Sequence, residues 1–119
     1  EKGEVMTIPQ EEKLPEESES ICCRFCNQTI TTLKQRTAVQ GVYQHAFTNP
    51  HGYVFEIGCF SNAPGCLNAG MPTQDFTWFP GYAWRYALCS GCYSHLGWQF
   101  IGEGQTGFYG LILSRLIFP

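Results

Sequence analysis

Four cysteines in two Cys-x-x-Cys pairs, Cys23-Arg-Phe-Cys26 and Cys89-Ser-Gly-Cys92, constrain this chain more than any other feature. A two-residue gap lets both thiolates of one tight turn converge on a single ion, and two such turns complete a tetrahedron. Residues 27–88 lie between the pairs, a far longer interval than in a compact finger, so an ion here joins two distant hairpins. A redox dithiol needs one pair only; two pairs favour metal over disulfides. With all four ligands from protein, no coordination position stays open, and the expected Zn2+, one per chain, is structural.

Three further cysteines, Cys22, Cys59 and Cys66, read as small buried hydrophobes. Export would allow a Cys59–Cys66 disulfide, and would give meaning to the glycosylation sequon Asn27-Gln28-Thr29 beside a metal ligand.

The 119 residues suit one domain with one modest core. Charge divides them unevenly. Residues 1–20 hold seven Glu and two Lys, a local net of −5, against −3 for the whole chain. That segment has too little apolar surface to offset its ordering entropy and reads as a disordered acidic tail. Residues 21–119 form the expected domain, with nine Phe, six Tyr and three Trp but little charge. Aromatic and β-branched side chains suit pleated, half-buried surfaces, so an all-β fold is expected. Five scattered basic residues make no nucleic-acid stripe. No apolar run reaches the ~20 residues of a membrane helix. There is no signal peptide and no initiator Met, so the chain reads as processed or excised.

Gly, Pro and Asn punctuate the domain, and no helical periodicity stands out. Strands are expected at 28–34, 42–48, 53–60, 82–89, 96–101 and 108–118. Asn49-Pro50-His51-Gly52 reads as a turn and 61–77 as a longer loop.

All three Trp fall between positions 78 and 98. If the Cys89–Cys92 turn is a hairpin tip, symmetric pairing sets Trp84 opposite Gly97. Alternation then puts Tyr82, Trp84 and Tyr86 on one face, and Leu96, Trp98 and Phe100 on one face of the partner strand. Three indoles near one hairpin are core filler or the walls of a cage. A cage takes a quaternary ammonium by cation–π attraction, or a small flat ring whose polar edge meets backbone groups. Asp75 and Glu103 are the only nearby acids, so support for a cation is thin.

The run Asp75-Phe-Thr-Trp-Phe-Pro-Gly-Tyr-Ala-Trp84, followed by Cys89-x-x-Cys-x-Ser-His-Leu-Gly-Trp98-x-Phe100, resembles the thalidomide-binding (CULT) domain family. Cys22-Cys23-x-x-Cys26, Asn49-Pro-His-Gly-Tyr-Val54 and Phe108-Tyr-Gly-Leu-Ile112 fit the same family, so the resemblance spans residues 21–117. It implies a β-tent, two antiparallel sheets pinned by the four-cysteine zinc. It also implies a pocket walled by Trp78, Trp84 and Trp98, with Phe100 as floor and Asn49, Pro50 and Phe55 at the rim. Family ligands are cyclic imides: glutarimide of the thalidomide class, succinimide-like rings, uracil or uridine, and terminal cyclic imides on modified proteins. Backbone groups near Phe76 and Trp78 would complement the imide edge.

Two departures qualify the resemblance. Phe76-Thr77 stands where cereblon has His-Ser, which leaves a backbone contact possible while changing the rim. The Lon-like and helical regions through which cereblon joins a ubiquitin ligase have no counterpart, so no ligase partner is expected. Stand-alone family members include predicted secreted forms, and an extracellular location is favoured over a cytoplasmic one. Cys89-x-x-Cys-x-Ser-His-Leu-Gly is also similar to methionine-R-sulfoxide reductases, but no Cys follows Cys92 to act as nucleophile. A binding module, not an enzyme, is the reading; a methyl-lysine reader and a structural interaction module are its rivals.

Overall fold

A computed structural model describes residues 19–119. It contains nine strands: β1 (Ser20–Cys23), β2 (Thr29–Thr32), β3 (Gln44–Thr48), β4 (Val54–Phe60), β5 (Cys66–Thr73), β6 (Tyr82–Cys89), β7 (His95–Gly102), β8 (Phe108–Ile112) and β9 (Leu116–Ile117). They form two antiparallel sheets, ordered β2-β1-β9 and β3-β4-β8-β7-β6-β5. This is the all-β arrangement expected. No helix among the described residues is long and apolar enough to cross a membrane.

Several boundaries differ from the sequence reading. Most of the expected acidic tail lies outside the described residues, but its end does not. Ser20 opens β1, and the Glu19 carbonyl accepts the Leu33 N–H at 3.0 Å. The strand expected at 28–34 stops at Thr32, where a 3-10 turn begins. The strand expected at 108–118 is broken by a second 3-10 turn, Leu113–Arg115, which carries the chain from the large sheet to the small one. The 61–77 loop holds a whole strand, β5. Its Gly70 and Pro72 suggest a loop, but they sit in a bulge of an edge strand between Ala69 and Thr73. An edge tolerates a residue with no N–H to donate.

Alternation along the strands buries two apolar layers. Ile21, Ile30, Phe60, Leu96, Leu111 and Leu116 pack with Cys23 and Cys89 in one cluster, which draws on both sheets. Ile57, Cys59, Phe79, Trp98, Phe100, Phe108 and Ile112 form the second. Phe79 comes from the β5–β6 loop and has no exposed surface; its ring meets Phe100 and Phe108 edge-on at 4.9 and 5.0 Å. Burying such a side chain contributes about 1.5–3 kcal/mol, which anchors the loop.

Glycine sets the approach of β7 to β8. A Cβ on Gly97 would collide with the Gly110 carbonyl and come within 2.8 Å of Leu111 Cα, and rigid backbone cannot yield as a side chain does. Gly97→Ala is therefore expected to cost at least about 1–3 kcal/mol, the usual penalty for overpacking, read as a lowered urea midpoint.

Candidate functional site: a four-sulfur clamp and an aromatic pocket

Each Cys-x-x-Cys segment forms the same turn. In the first, Cys23 N–H donates to the Gln28 carbonyl (2.8 Å) and Asn27 N–H to the Cys23 carbonyl (2.8 Å). In the second, Cys89 N–H donates to Ser94 (2.8 Å) and Tyr93 N–H to Cys89 (2.7 Å). Asn27 and Tyr93, each just after a second cysteine, both adopt left-handed backbone, with φ of 69° and 64°. The first cysteine of each turn accepts an N–H on its sulfur, from Phe25 (3.4 Å) and Gly91 (3.3 Å). Such bonds place partial positive charge against a thiolate.

The four Sγ atoms lie within 4.8 Å of one another. Cys23 and Cys92 are 3.7 Å apart, and Cys26 and Cys89 3.5 Å. A tetrahedral zinc with Zn–S bonds of about 2.3 Å needs sulfurs about 3.8 Å apart, so this donor set fits the ion. Ionisation of the sulfurs is uneven: against the Gln28 backbone N–H, which lowers it, burial and the neighbouring sulfurs of Cys89, Cys92 and Cys23 push Cys26 up to about 12. Burial pushes the Cys23 thiol up, while the Ser94 hydroxyl and N–H pull Cys92 down to about 6. Four sulfurs this close become thiolates together only around a cation. Cys59 and Cys66 are free thiols packed against different clusters, so the disulfide that export would allow is not formed between them here.

The hairpin register differs from the symmetric expectation. The second turn is long, running from Cys89 to Ser94, and a bulge follows it. Leu88 pairs with His95 but Ala87 with Gly97, which leaves Leu96 as the extra residue. Trp84 consequently faces Phe100, and Tyr86 faces Trp98. The bulge also corrects the expected face: Leu96 joins the cluster between the sheets, while Trp98 and Phe100 join the other. His95 turns to the tryptophan side, its ring 4.9 Å from Trp98 and 5.3 Å from Tyr86.

Together these residues line a cavity of about 610 Å³. Trp78, Trp84, Trp98, Phe100, Phe76, Asn49, Pro50 and Phe55, all named from the sequence, border it. Thr77 does not. Its hydroxyl donates to the Phe79 carbonyl (3.3 Å) and accepts the Phe79 N–H (3.4 Å), so it shapes the loop. His51, Tyr86 and His95 are lining residues the sequence reading missed. Both histidines stand inside the quoted motifs, but only the bulge reveals the face that His95 takes.

The walls are fixed. Trp78 stacks on Phe47 (5.0 Å, 11° between planes) and meets Trp98 edge-on at 4.8 Å. Phe55 lies 5.3 Å from Trp98 and 6.2 Å from Trp78. The Trp78 indole donates to the Thr48 carbonyl (3.3 Å), and that of Trp84 to the Asp75 carbonyl (2.8 Å). Asn49 Oδ1 accepts the N–H groups of His51 (3.0 Å) and Tyr53 (2.9 Å), holding the rim turn. Among the described residues, no Asp, Glu, Lys or Arg borders the cavity.

His95 donates from Nε2 to the Gly97 carbonyl at 2.9 Å, which fixes its tautomer. Burial lowers its pKa, the Gly97 carbonyl opposes that, and Arg115 lowers it further. A depressed folded-state value means that the unfolded chain protonates first as pH falls. The stability His95 contributes is thus complete above 6.5 and declines below it. A proton NMR titration should place the His95 midpoint below 6.5.

No family model matches the chain. Cereblon of Danio rerio is 38% identical over 104 residues, covering 82% of this chain and 24% of that protein. Cereblon of Xenopus tropicalis is 39% identical over 103 residues (82% and 23%), and that of Gallus gallus 35% over 104 (82% and 23%). The chain thus spans about a quarter of the length of the curated relatives it matches. With two antiparallel sheets and the four-cysteine cluster alongside these identities, the chain belongs to the CULT domain family of cereblon and its relatives.

Proposed function

We propose that this domain is a binding module, pinned by one structural zinc, whose aromatic pocket takes a cyclic imide. The ring is of the glutarimide, succinimide or uracil type, free or at the end of a modified polypeptide. The observation that carries this reading is the convergence of Trp78, Trp84, Trp98 and Phe100 on one cavity with no charged lining residue. Indole faces cover the apolar part of a small ring, and the polar edge then needs main-chain partners. Phe76–Trp78 is the segment suited to supply them. Among the described residues, neither Phe76 N–H nor Trp78 N–H donates to a protein carbonyl. Phe76 itself holds left-handed backbone (φ 58°) while 75% exposed. That conformation costs a residue with a Cβ about 1–2 kcal/mol, and a bound ligand gives a reason for it.

A methyl-lysine reader fits less well, because among the described residues no carboxylate borders the cavity to balance a cation. A reductase needs a nucleophilic thiol, and no cysteine lines the cavity.

Glutarimide or uridine should change tryptophan fluorescence saturably, and Trp84→Ala should weaken binding at least about tenfold, or ~1.4 kcal/mol. Silence toward every cyclic imide, with tight binding of a trimethyl-lysine peptide, would overturn the reading. For the metal, native mass spectrometry should find one zinc per chain, lost in Cys89→Ser. Chelation should unfold the domain, because structural zinc supplies roughly 10–16 kcal/mol in small modules. A metal-free chain carrying two Cys-x-x-Cys disulfides would refute the zinc assignment.

A further inference from the structure

Cys66 has a partner that its sequence position does not suggest. On the β5–β6 ladder it pairs directly with the zinc-site residue Cys89. The local hydrogen bonds define the kind of pair. Cys89 N–H is used on Ser94 and Cys66 N–H on Ala63, while Ser90 N–H reaches Gly65 one step along. The two cysteines therefore exchange no backbone bonds with each other. They form a non-hydrogen-bonded antiparallel pair, whose Cα atoms stand about 4.5 Å apart. That spacing falls within the ~4.4–6.8 Å that a disulfide spans. Both side chains pack in the cluster between the sheets, with Cys66 half-buried and Cys89 fully covered.

We propose that Cys66 and Cys89 form an oxidative modification site, at which hydrogen peroxide converts a zinc ligand into half of a disulfide. This rests on the zinc assignment above. While it ligates zinc, Cys89 is a thiolate. Its sulfur attacks one peroxide oxygen, the O–O bond breaks, hydroxide leaves, and Cys89 becomes a sulfenic acid. The Cys66 sulfur then displaces that oxygen as water, giving up its proton, and the S–S bond forms. Two electrons pass from the two sulfurs to the peroxide, and one water and one hydroxide result. Three thiolates remain, the tetrahedron is open, and zinc is released. Because Cys89 begins the turn between β6 and β7, the pocket loses its support in the same event. The buried position of Cys89 favours a small oxidant over a bulky disulfide.

The test uses the zinc-loaded full chain, with one zinc per chain verified by native mass spectrometry before oxidant is added. Equimolar hydrogen peroxide is followed by a colorimetric zinc indicator, then by alkylation and peptide mapping. The expected result is a Cys66–Cys89 linkage appearing with zinc release, and release several-fold slower in Cys66→Ser. Cys66→Ala serves as the second variant if the serine perturbs packing. Thiol reductant plus zinc should restore the metal and the fluorescence response to imide. Disulfides confined to Cys23, Cys26, Cys89 and Cys92, with unchanged release in both variants, would overturn the proposal while leaving the zinc assignment intact. Absence of zinc before oxidation would instead sink the assignment on which it rests.

Discussion

Two turns far apart in sequence meet at four sulfur atoms, and that meeting joins an end of the small sheet to an end of the large one. Cys23 ends β1 of the small sheet, and Cys89 ends β6 of the large one. Beyond the sulfurs, the small sheet is held by an apolar layer of modest size. The proposed zinc there would do what a larger hydrophobic interface does in a bigger domain, and about a hundred residues offer little room for one. The same turn, with the same backbone hydrogen bonds and the same left-handed residue, is used twice. Each half offers two donors already aimed at a common point.

The pocket is built on the far side of that support. Its hairpin springs from the second turn, and the loop bearing Trp78 is fastened from below by Phe79 and from above by the Trp84 indole. Opening the pocket wide means drawing a fully covered ring out of an aromatic cluster, so small adjustments at the rim are the motions the packing permits. Phe76, exposed and in an unfavourable backbone region, is where such adjustment is cheapest.

Some of this was legible in the sequence because residue type and spacing alone settle it. Two Cys-x-x-Cys pairs have few chemical uses, and tryptophans clustered beside one of them must lie near its hairpin. The rest depended on details with no local signature. One bulge after Ser94 moved the register and turned His95 toward the tryptophans and Leu96 away from them. Strand β5 was hidden because Gly70 and Pro72 look like loop residues, yet an edge accommodates both. Ser20 read as tail because its neighbours are glutamates, although it pairs with Thr32. For Cys66 the sequence offered a small buried hydrophobe or, on export, a partner in Cys59, whereas strand pairing sets it against Cys89.

The two indole N–H groups already committed to Thr48 and Asp75 have one more consequence. Trp78 and Trp84 thus have no indole donor to spare and offer only their faces, whereas Trp98, Tyr86, His51, His95 and Asn49 bring polar side-chain atoms to the same cavity. On the proposed reading, the main chain of the Phe76–Trp78 loop would share the discrimination between guests with those side chains. Phe76, with no polar side-chain atom, leaves the loop only its main chain to offer at that position.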